Sequence, residues 1–285
     1  MSVNITEYNS KNKPTWCPGC GNFAIHTALK KALSELDISP SQAYISFDIG
    51  CNGNGADKIN IYGFKGLHGR AIPLAIGAHL ANRKYTVFAD IGDGGCLHEG
   101  LDHLLHAIRA NYNITILIHN NQNFALTTGQ ATATTQQGKE MYGLPDGKPE
   151  RDINIGDLVL TMNPSFYAKA YSGDPLQLSE ILKKAVTHKG CSVIEIMQIC
   201  PTYNREYTPQ WFKEHIKVID KTANTIENAR TFVKTEDETI YTGIIYQNTT
   251  IPTFYDRLEN RKDIPTELVD EVKNYDISKL LKNFE

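Results

Sequence analysis

Cys17, Cys20, Cys51 and Cys200 are the residues of this 285-residue chain whose type and spacing suit a soft metal. Cys17-Pro-Gly-Cys20-Gly sets two thiolates one turn apart, with glycines that let backbone N–H groups approach sulfur. An isolated pair of this kind also opens zinc ribbons. The other two cysteines stand alone, in Ile49-Gly-Cys51-Asn-Gly and in Ile199-Cys200-Pro. A ribbon supplies its second pair as another close knuckle, whereas scattered single ligands, the last beside proline, fit iron–sulfur ligation. Cys96 and Cys191 are left over, and packing as small hydrophobes accounts for both. Cys96 lies two residues past Gly94 at an expected helix start, a setting in which a thiol can become reactive.

A second set suits a hard cation and a phosphate. Gly92-Asp93-Gly94 ends an apolar run in a glycine turn ahead of an expected helix. There the backbone can approach a phosphate, the helix start offers unpaired N–H groups, and Asp93 offers a carboxylate for magnesium. Such triplets are common at strand–turn–helix junctions. The next apolar run, however, ends in Asn120-Asn121-Gln122-Asn123, neutral oxygen donors that a buried strand does not need. Neighbouring parallel strands would bring them beside Asp93. His68 and Arg70 suit either a diphosphate or a carboxylate, or else local bonds at a helix start. His98, Glu99, Asp102, His103 and His106 lack the spacing of a metal-binding helix and read as a solvated face.

Short β-rich runs at 43–49, 85–91, 114–119, 166–171 and 191–199 are what must position these residues. Helical spacing at 23–36, 97–110 and 176–188 alternates with them, predicting an α/β fold with a mainly parallel sheet and helices on both faces. Cys51 and Cys200 each follow a strand, at the sheet edge where such folds place their sites. Residues 135–154 show no periodicity and read as a long surface loop. After residue 205 the pattern weakens into a polar tail with a strand at 239–246 and a charged helix at 267–283. The expected division is therefore a domain over 1–205 and a tail or arm over 206–285.

Formal net charge is −3, from 29 basic and 32 acidic residues. No field favours polyanions, so neither nucleic acid nor an anionic membrane is expected as a partner. Residues 1–11 are polar, and apolar runs break well short of the ~18 residues of a membrane span. A soluble, cytoplasmic protein with reduced thiols is the expectation.

Taken together, Trp16-Cys-Pro-Gly-Cys-Gly-Asn22, Ile49-Gly-Cys51, Leu67-His-Gly-Arg-Ala-Ile-Pro73, Gly92-Asp-Gly94 and Asn120-Asn-Gln-Asn-Phe-Ala-Leu-Thr-Thr-Gly-Gln130 resemble the β subunit of 2-oxoacid:ferredoxin oxidoreductases. The resemblance runs from about residue 14 to 205, with Thr242-Gly-Ile-Ile-Tyr246 similar to the family's tail strand. It implies a thiamine diphosphate-binding fold, with Cys17, Cys20, Cys51 and Cys200 on one 4Fe–4S cluster. Asp93, Asn121 and the carbonyl of Asn123 would bind Mg2+; Gly92, Gly94, Thr127, Thr128, Gly129 and Gln130 would line the diphosphate, with His68, Arg70 and Cys51 beside the cofactor. The activity implied is coenzyme A-dependent oxidative decarboxylation of a 2-oxoacid such as pyruvate or 2-oxoglutarate, with electrons leaving through the cluster to ferredoxin. An alpha or fused gamma-alpha subunit would supply the acid that activates thiamine, since no side chain here is an obvious general base. Departures from the family pattern are Phe124-Ala125 for Tyr-Gly, Thr128 for Gly, Ala133 for Pro, Gly95-Cys96 after the triplet, and Asn52-Gly-Asn54 after Cys51. Two other readings remain open: a zinc-stabilised binding subunit and a non-oxidative thiamine-dependent decarboxylase, the latter leaving the cysteines without a role.

Overall fold

The computed structural model describes residues 3–234, 237–272 and 276–282. Five strands form its parallel centre: β1 (Ala43–Phe47), β3 (Thr86–Gly92), β4 (Thr115–Asn120), β6 (Ser192–Met197) and β5 (Phe166–Tyr171). They arise from the apolar runs of the sequence, each within two residues of its expected ends. The sheet has eight strands in the order β2-β1-β3-β4-β6-β5-β8-β7. β2 (Tyr62–Lys65) adds a parallel edge beside β1; β8 (Ile240–Gln247) pairs antiparallel with β5, and β7 (Ile216–Val218) runs parallel to β8. The tail's two strands thus extend the same sheet.

Side chains of the central strands alternate between two cores, as period-2 geometry requires. On one face α1 (Asn22–Glu35) and α5 (Pro175–Thr187) cover Phe88, Leu117 and Ile194. On the other, α2 (Ala71–Ala81), α3 (Leu101–Ala110) and α4 (Ile155–Thr161) cover Ala89, Ile116, Ile118 and Val193. Sheets buried on both faces are built this way. A third, small core joins Tyr207 and Phe212 of the tail to Met197 and Ile199, so these aromatics are interior, while Tyr203 is exposed.

Three expectations are corrected. The helix expected over 97–110 begins as a π-helical turn, Gly95–Glu99, and becomes α-helical only at Leu101. The turn lies at a backbone crossing that two glycines permit: a Cβ on Gly69 would collide with Glu99 and Gly100, and one on Gly100 would press on the Gly69 carbonyl. The expected terminal helix over 267–283 is instead two short pieces, α8 (Leu268–Glu271) and α9 (Ser278–Leu281); residues 273–275 and 283 lie outside the described residues. Cys96 is fully buried and burial pushes its thiol far above the ordinary range, as it pushes Cys191 to about 12, so both pack as hydrophobes and the reactive setting is not realised.

Candidate active site

Adjacent parallel strands β1, β3, β4 and β6 all end at one sheet edge, and their register fixes where the loop after each strand begins. The Asp48 N–H bonds to the Asp90 carbonyl (2.9 Å) and the Gln198 N–H to the Asn120 carbonyl (2.9 Å), so the ladder continues into the loops. Those loops carry Cys51, Asp93, Asn121 and Cys200 to one place. A cavity of about 310 Å³ is lined by Cys51, His68, Gly92, Asp93, Gly94, Asn121, Asn123 and Thr127. A second, of about 210 Å³, is lined by all four cysteines, Cys17, Cys20, Cys51 and Cys200. Cys51, Asn121, Ala125, Leu126 and Gln198 belong to both, forming the wall between them.

Asp93 is 1 % exposed. Burial raises its carboxyl above the ordinary range, opposed by hydroxyl donors from Thr132 and Thr134 and backbone N–H groups of Asn121 and Gly94. Both hydroxyls reach Oδ2 at 2.6 Å. Every one of these donors is neutral. Buried carboxylates are held by cations or metals, and none of the ion pairs among the described residues includes Asp93, so the arrangement fits a hard cation on its cavity side. Asn121 is turned by the Asn123 N–H onto its Oδ1 (3.1 Å), and Asn123 Nδ2 donates to the Asn121 carbonyl (2.8 Å). Gly95 is required for close approach: a Cβ there would collide with Asp48 Oδ2.

Asp48, absent from the sequence reading, is fully buried behind His68. Its Oδ1 accepts the Gly69 N–H (2.6 Å) and its Oδ2 faces His68 Nδ1 (3.2 Å). Burial raises the Asp48 carboxyl; its N–H bonds and the His68 charge oppose this. With Nδ1 so held, His68 turns Nε2 toward Glu99 Oε2 (3.6 Å). Glu99 lines the first cavity and is not merely a solvated side chain. Arg70 is turned away, onto the Glu99 carbonyl and His103 Nε2. Thr128 and Gly129 line a neighbouring groove with Tyr142 and Tyr203, and Gln130 binds Thr127 Oγ1 through its Oε1 (2.7 Å). Asn52, one of the departures after Cys51, is buried and donates to Asp90 Oδ1 (2.8 Å), an internal role that explains its type.

The four thiols influence one another: burial, then the like charges of Cys20, Cys200 and Cys17, push Cys51 up to about 12. Among the described residues no three His, Cys, Asp or Glu side chains are gathered closely enough to hold a single metal ion.

Residues 48–196 match the family of the thiamine pyrophosphate enzyme, C-terminal TPP binding domain, and residues 200–263 match the C-terminal family of the pyruvate ferredoxin oxidoreductase beta subunit. The β subunit of 2-oxoacid:ferredoxin oxidoreductase 1 from Aeropyrum pernix is 35% identical over 273 residues, covering 91% of this chain and 86% of that one. This chain belongs to the 2-oxoacid:ferredoxin oxidoreductase β subunits. Its Saccharolobus solfataricus relative is 34% identical over 261 residues, 86% of each chain. The 2-oxoglutarate:ferredoxin oxidoreductase of Magnetococcus marinus, solved with 2-oxoglutarate, coenzyme A and succinyl-CoA bound, superposes with a TM-score of 0.86 at 26% identity, covering 99% of this chain and 96% of that one. As a member of this family the chain is an oxidoreductase subunit with a thiamine diphosphate-binding domain, acting with a partner subunit. No described helix is long and apolar enough to cross a membrane.

Sequence reasoning missed Asp48, Asp90, His119, Thr132, Thr134 and Gln198. Of these, Asp48 and Asp90 could have been found, since a carboxylate at the end of an apolar strand has no packing reason to be there. The threonines left no signal, because nothing in 131–135 announces which hydroxyl meets Asp93.

Proposed function

We propose that this β subunit holds both the diphosphate half of a thiamine site and the first electron acceptor of a coenzyme A-dependent oxidative decarboxylation of a 2-oxoacid, with ferredoxin as the final carrier. The diphosphate-binding unit spans 1–205 and the arm 206–285 packs on it. Asp93, Asn121 and the Asn123 carbonyl would hold Mg2+, with Thr127 beside the diphosphate; Cys17, Cys20, Cys51 and Cys200 would hold a 4Fe–4S cluster. Bound thiamine supplies the electron sink that decarboxylation of a 2-oxoacid needs. This chain's residues do the rest of the positioning. Asp93 offers charge to the cation, Asp48 fixes the His68 ring so that Nε2 carries its exchangeable lone pair or proton toward the cavity, and Cys51, Asn121, Ala125, Leu126 and Gln198 form the wall shared by the two cavities. An alpha or fused gamma-alpha subunit would bring the acid that activates thiamine.

The single observation that carries this reading is the shared wall, in which Cys51 and Asn121 line both cavities. A non-oxidative decarboxylase has no use for four cysteines around a second cavity that shares a wall with its cofactor site. The cluster is favoured over zinc because a tetrahedral zinc at ~2.3 Å from each sulfur draws its four sulfurs to within ~4 Å of one another, whereas no three of the described His, Cys, Asp or Glu side chains are gathered closely enough for one metal ion. The test is iron, sulfide and zinc analysis of the anaerobically purified complex, followed by addition of a 2-oxoacid and coenzyme A. Four irons and four sulfides per chain, with bleaching of the brown colour on substrate addition, are expected. Stoichiometric zinc and no iron would refute it.

A further inference from the structure

Between the two cavities lies a buried polar chain, with His119 lining the first and Gln198 lining both. His119, 3 % exposed at the end of β4, places Nδ1 at 2.9 Å from Gln198 Oε1 and 3.1 Å from Asn22 Oδ1. Its Nε2 stands 3.2 Å from Asp90 Oδ2. Asn22 and Gln198 are themselves 2 % and 3 % exposed. Their other ends converge on one sulfur: Asn22 Nδ2 is 3.5 Å, and Gln198 Nε2 3.8 Å, from Cys20 Sγ.

The orientations imply one another. A ring nitrogen facing two carbonyl oxygens must carry a proton, so Nδ1–H donates to both. An amide whose oxygen is taken has only N–H groups left, and these point at Cys20. Reversing both amides would let their N–H groups donate to a bare Nδ1, but it would set two carbonyl oxygens against Cys20 Sγ, and a ligating thiolate, which only accepts, excludes that. The residues come from four separate places, the first turn of α1, the ends of β4 and β6, and β3, so local sequence does not explain the convergence.

We propose that His119 is a positioning residue for the iron–sulfur centre: by holding the Asn22 and Gln198 carbonyl oxygens, it aims both amide N–H groups at Cys20 Sγ and so raises the reduction potential of the centre. This role rests on the four cysteines holding the 4Fe–4S cluster proposed above. N–H bonds withdraw charge from a ligating sulfur and stabilise the reduced, more negative state. Asp90, itself held by Asn52, fixes the far side of the ring.

The test is an electrochemical titration of the cluster, followed by electron paramagnetic resonance, in the purified complex. Wild type is compared with His119→Leu, His119→Asn, the pair Asn22→Ala/Gln198→Leu, and that pair combined with His119→Leu. His119→Leu should shift the midpoint potential negative. His119→Asn, whose amide can still donate where Nδ1 did, should restore most of it. In the paired background, removing His119 should shift the potential no further, because the ring acts only through the two amides. Iron and sulfide are counted in each sample. A wild type without them would refute the cluster itself. A loaded cluster whose potential ignores His119→Leu, or a triple variant well below the pair, would overturn the role of His119 alone. Should His119→Leu fail to load iron, Gln198→Leu against His119→Asn decides: only the first should fall in potential, and equal potentials overturn the inference.

Discussion

At the scale of residues, Asp93 is a buried carboxylate held by neutral donors alone, so its readiness for a cation depends on the residues that orient it. Asp93 and Asn121 stood out in the sequence because apolar strands do not end in oxygen donors without cause. Thr132 and Thr134 did not, yet both hydroxyls hold Asp93 Oδ2. Thr132→Val keeps the shape and removes one donor. Partners that orient a metal ligand typically carry 10–100-fold in affinity, so Mg2+-dependent thiamine diphosphate binding should weaken by about that factor in calorimetry while iron content is unchanged. Thr128 is the opposite case, a departure seen in sequence whose meaning lies in the backbone. It sits at φ 84, where a β-branched side chain is strained by about 1–3 kcal/mol. Thr128→Gly relieves that strain and loses about 0.4–1 kcal/mol to unfolded-state entropy. A net gain of about 1 kcal/mol, seen as a raised thermal midpoint, is expected; a lowered midpoint would show that the Thr128 side chain is held by something stronger than its strain.

Among the elements, the central strands declared themselves through short apolar runs between turn residues, although each carries a polar side chain, Ser46, Asp90, His119, Lys169 and Glu195 in β1, β3, β4, β5 and β6. β2 did not: all four residues are exposed, so Tyr62-Gly-Phe-Lys65 has no pattern to read. Nor did α2, whose Ala-Ile-Pro-Leu-Ala-Ile-Gly-Ala-His-Leu-Ala is apolar all round and has no stripe to betray a helical period. The π-helical turn after Gly94 is the element that sequence periodicity could least foresee, since it packs against Gly69, a residue distant in sequence. π-turns inside helices gather at functional sites, and this one wraps Asp48 and Asp93. Gly95→Ala should test that packing directly. Its methyl meets Asp48 Oδ2, and overpacking of this kind costs about 1–3 kcal/mol. The expected result is a loss of that size in denaturant unfolding together with weaker thiamine diphosphate binding, because the same shift disturbs His68 and Asp93.

For the whole molecule, the tail is what sequence understated, since its weak pattern conceals strands that close one edge of the sheet. Its segment 255–271 is fastened by charge. Arg83 bonds Glu267 Oε2 through both its backbone N–H and Nε (2.9 Å each) and stacks on Tyr255 at 3.9 Å, while Arg261 pairs with Glu271. Burial would raise the Glu267 carboxyl, but Arg83 outweighs it and holds the group below its ordinary range. A depressed carboxyl adds stability above its unfolded value of ~4.5 and loses it as pH falls through the lower folded one. Limited proteolysis should therefore spare the segment 255–271 at pH 7 and cut it as pH falls below the ordinary carboxylate range, and Glu267→Gln should expose it to cutting at neutral pH. All eight described strands form one sheet, with a single edge that gathers Asp93, Asn121 and the cysteines, so the described residues provide one wall of a cofactor site. At that edge Leu67 is 77 % exposed and Leu126, which lines both cavities, 47 %; large apolar side chains in that position mark a surface that another polypeptide covers. The chain alone, loaded with iron, Mg2+ and thiamine diphosphate, should not reduce a viologen dye with 2-oxoacid and coenzyme A, and adding the partner subunit should restore turnover. Replacing Leu67 by Glu should weaken that restoration by raising the amount of partner needed, without changing iron content. Robust turnover by the isolated chain would mean that this edge completes the site by itself, and that the exposed leucines serve something other than the partner.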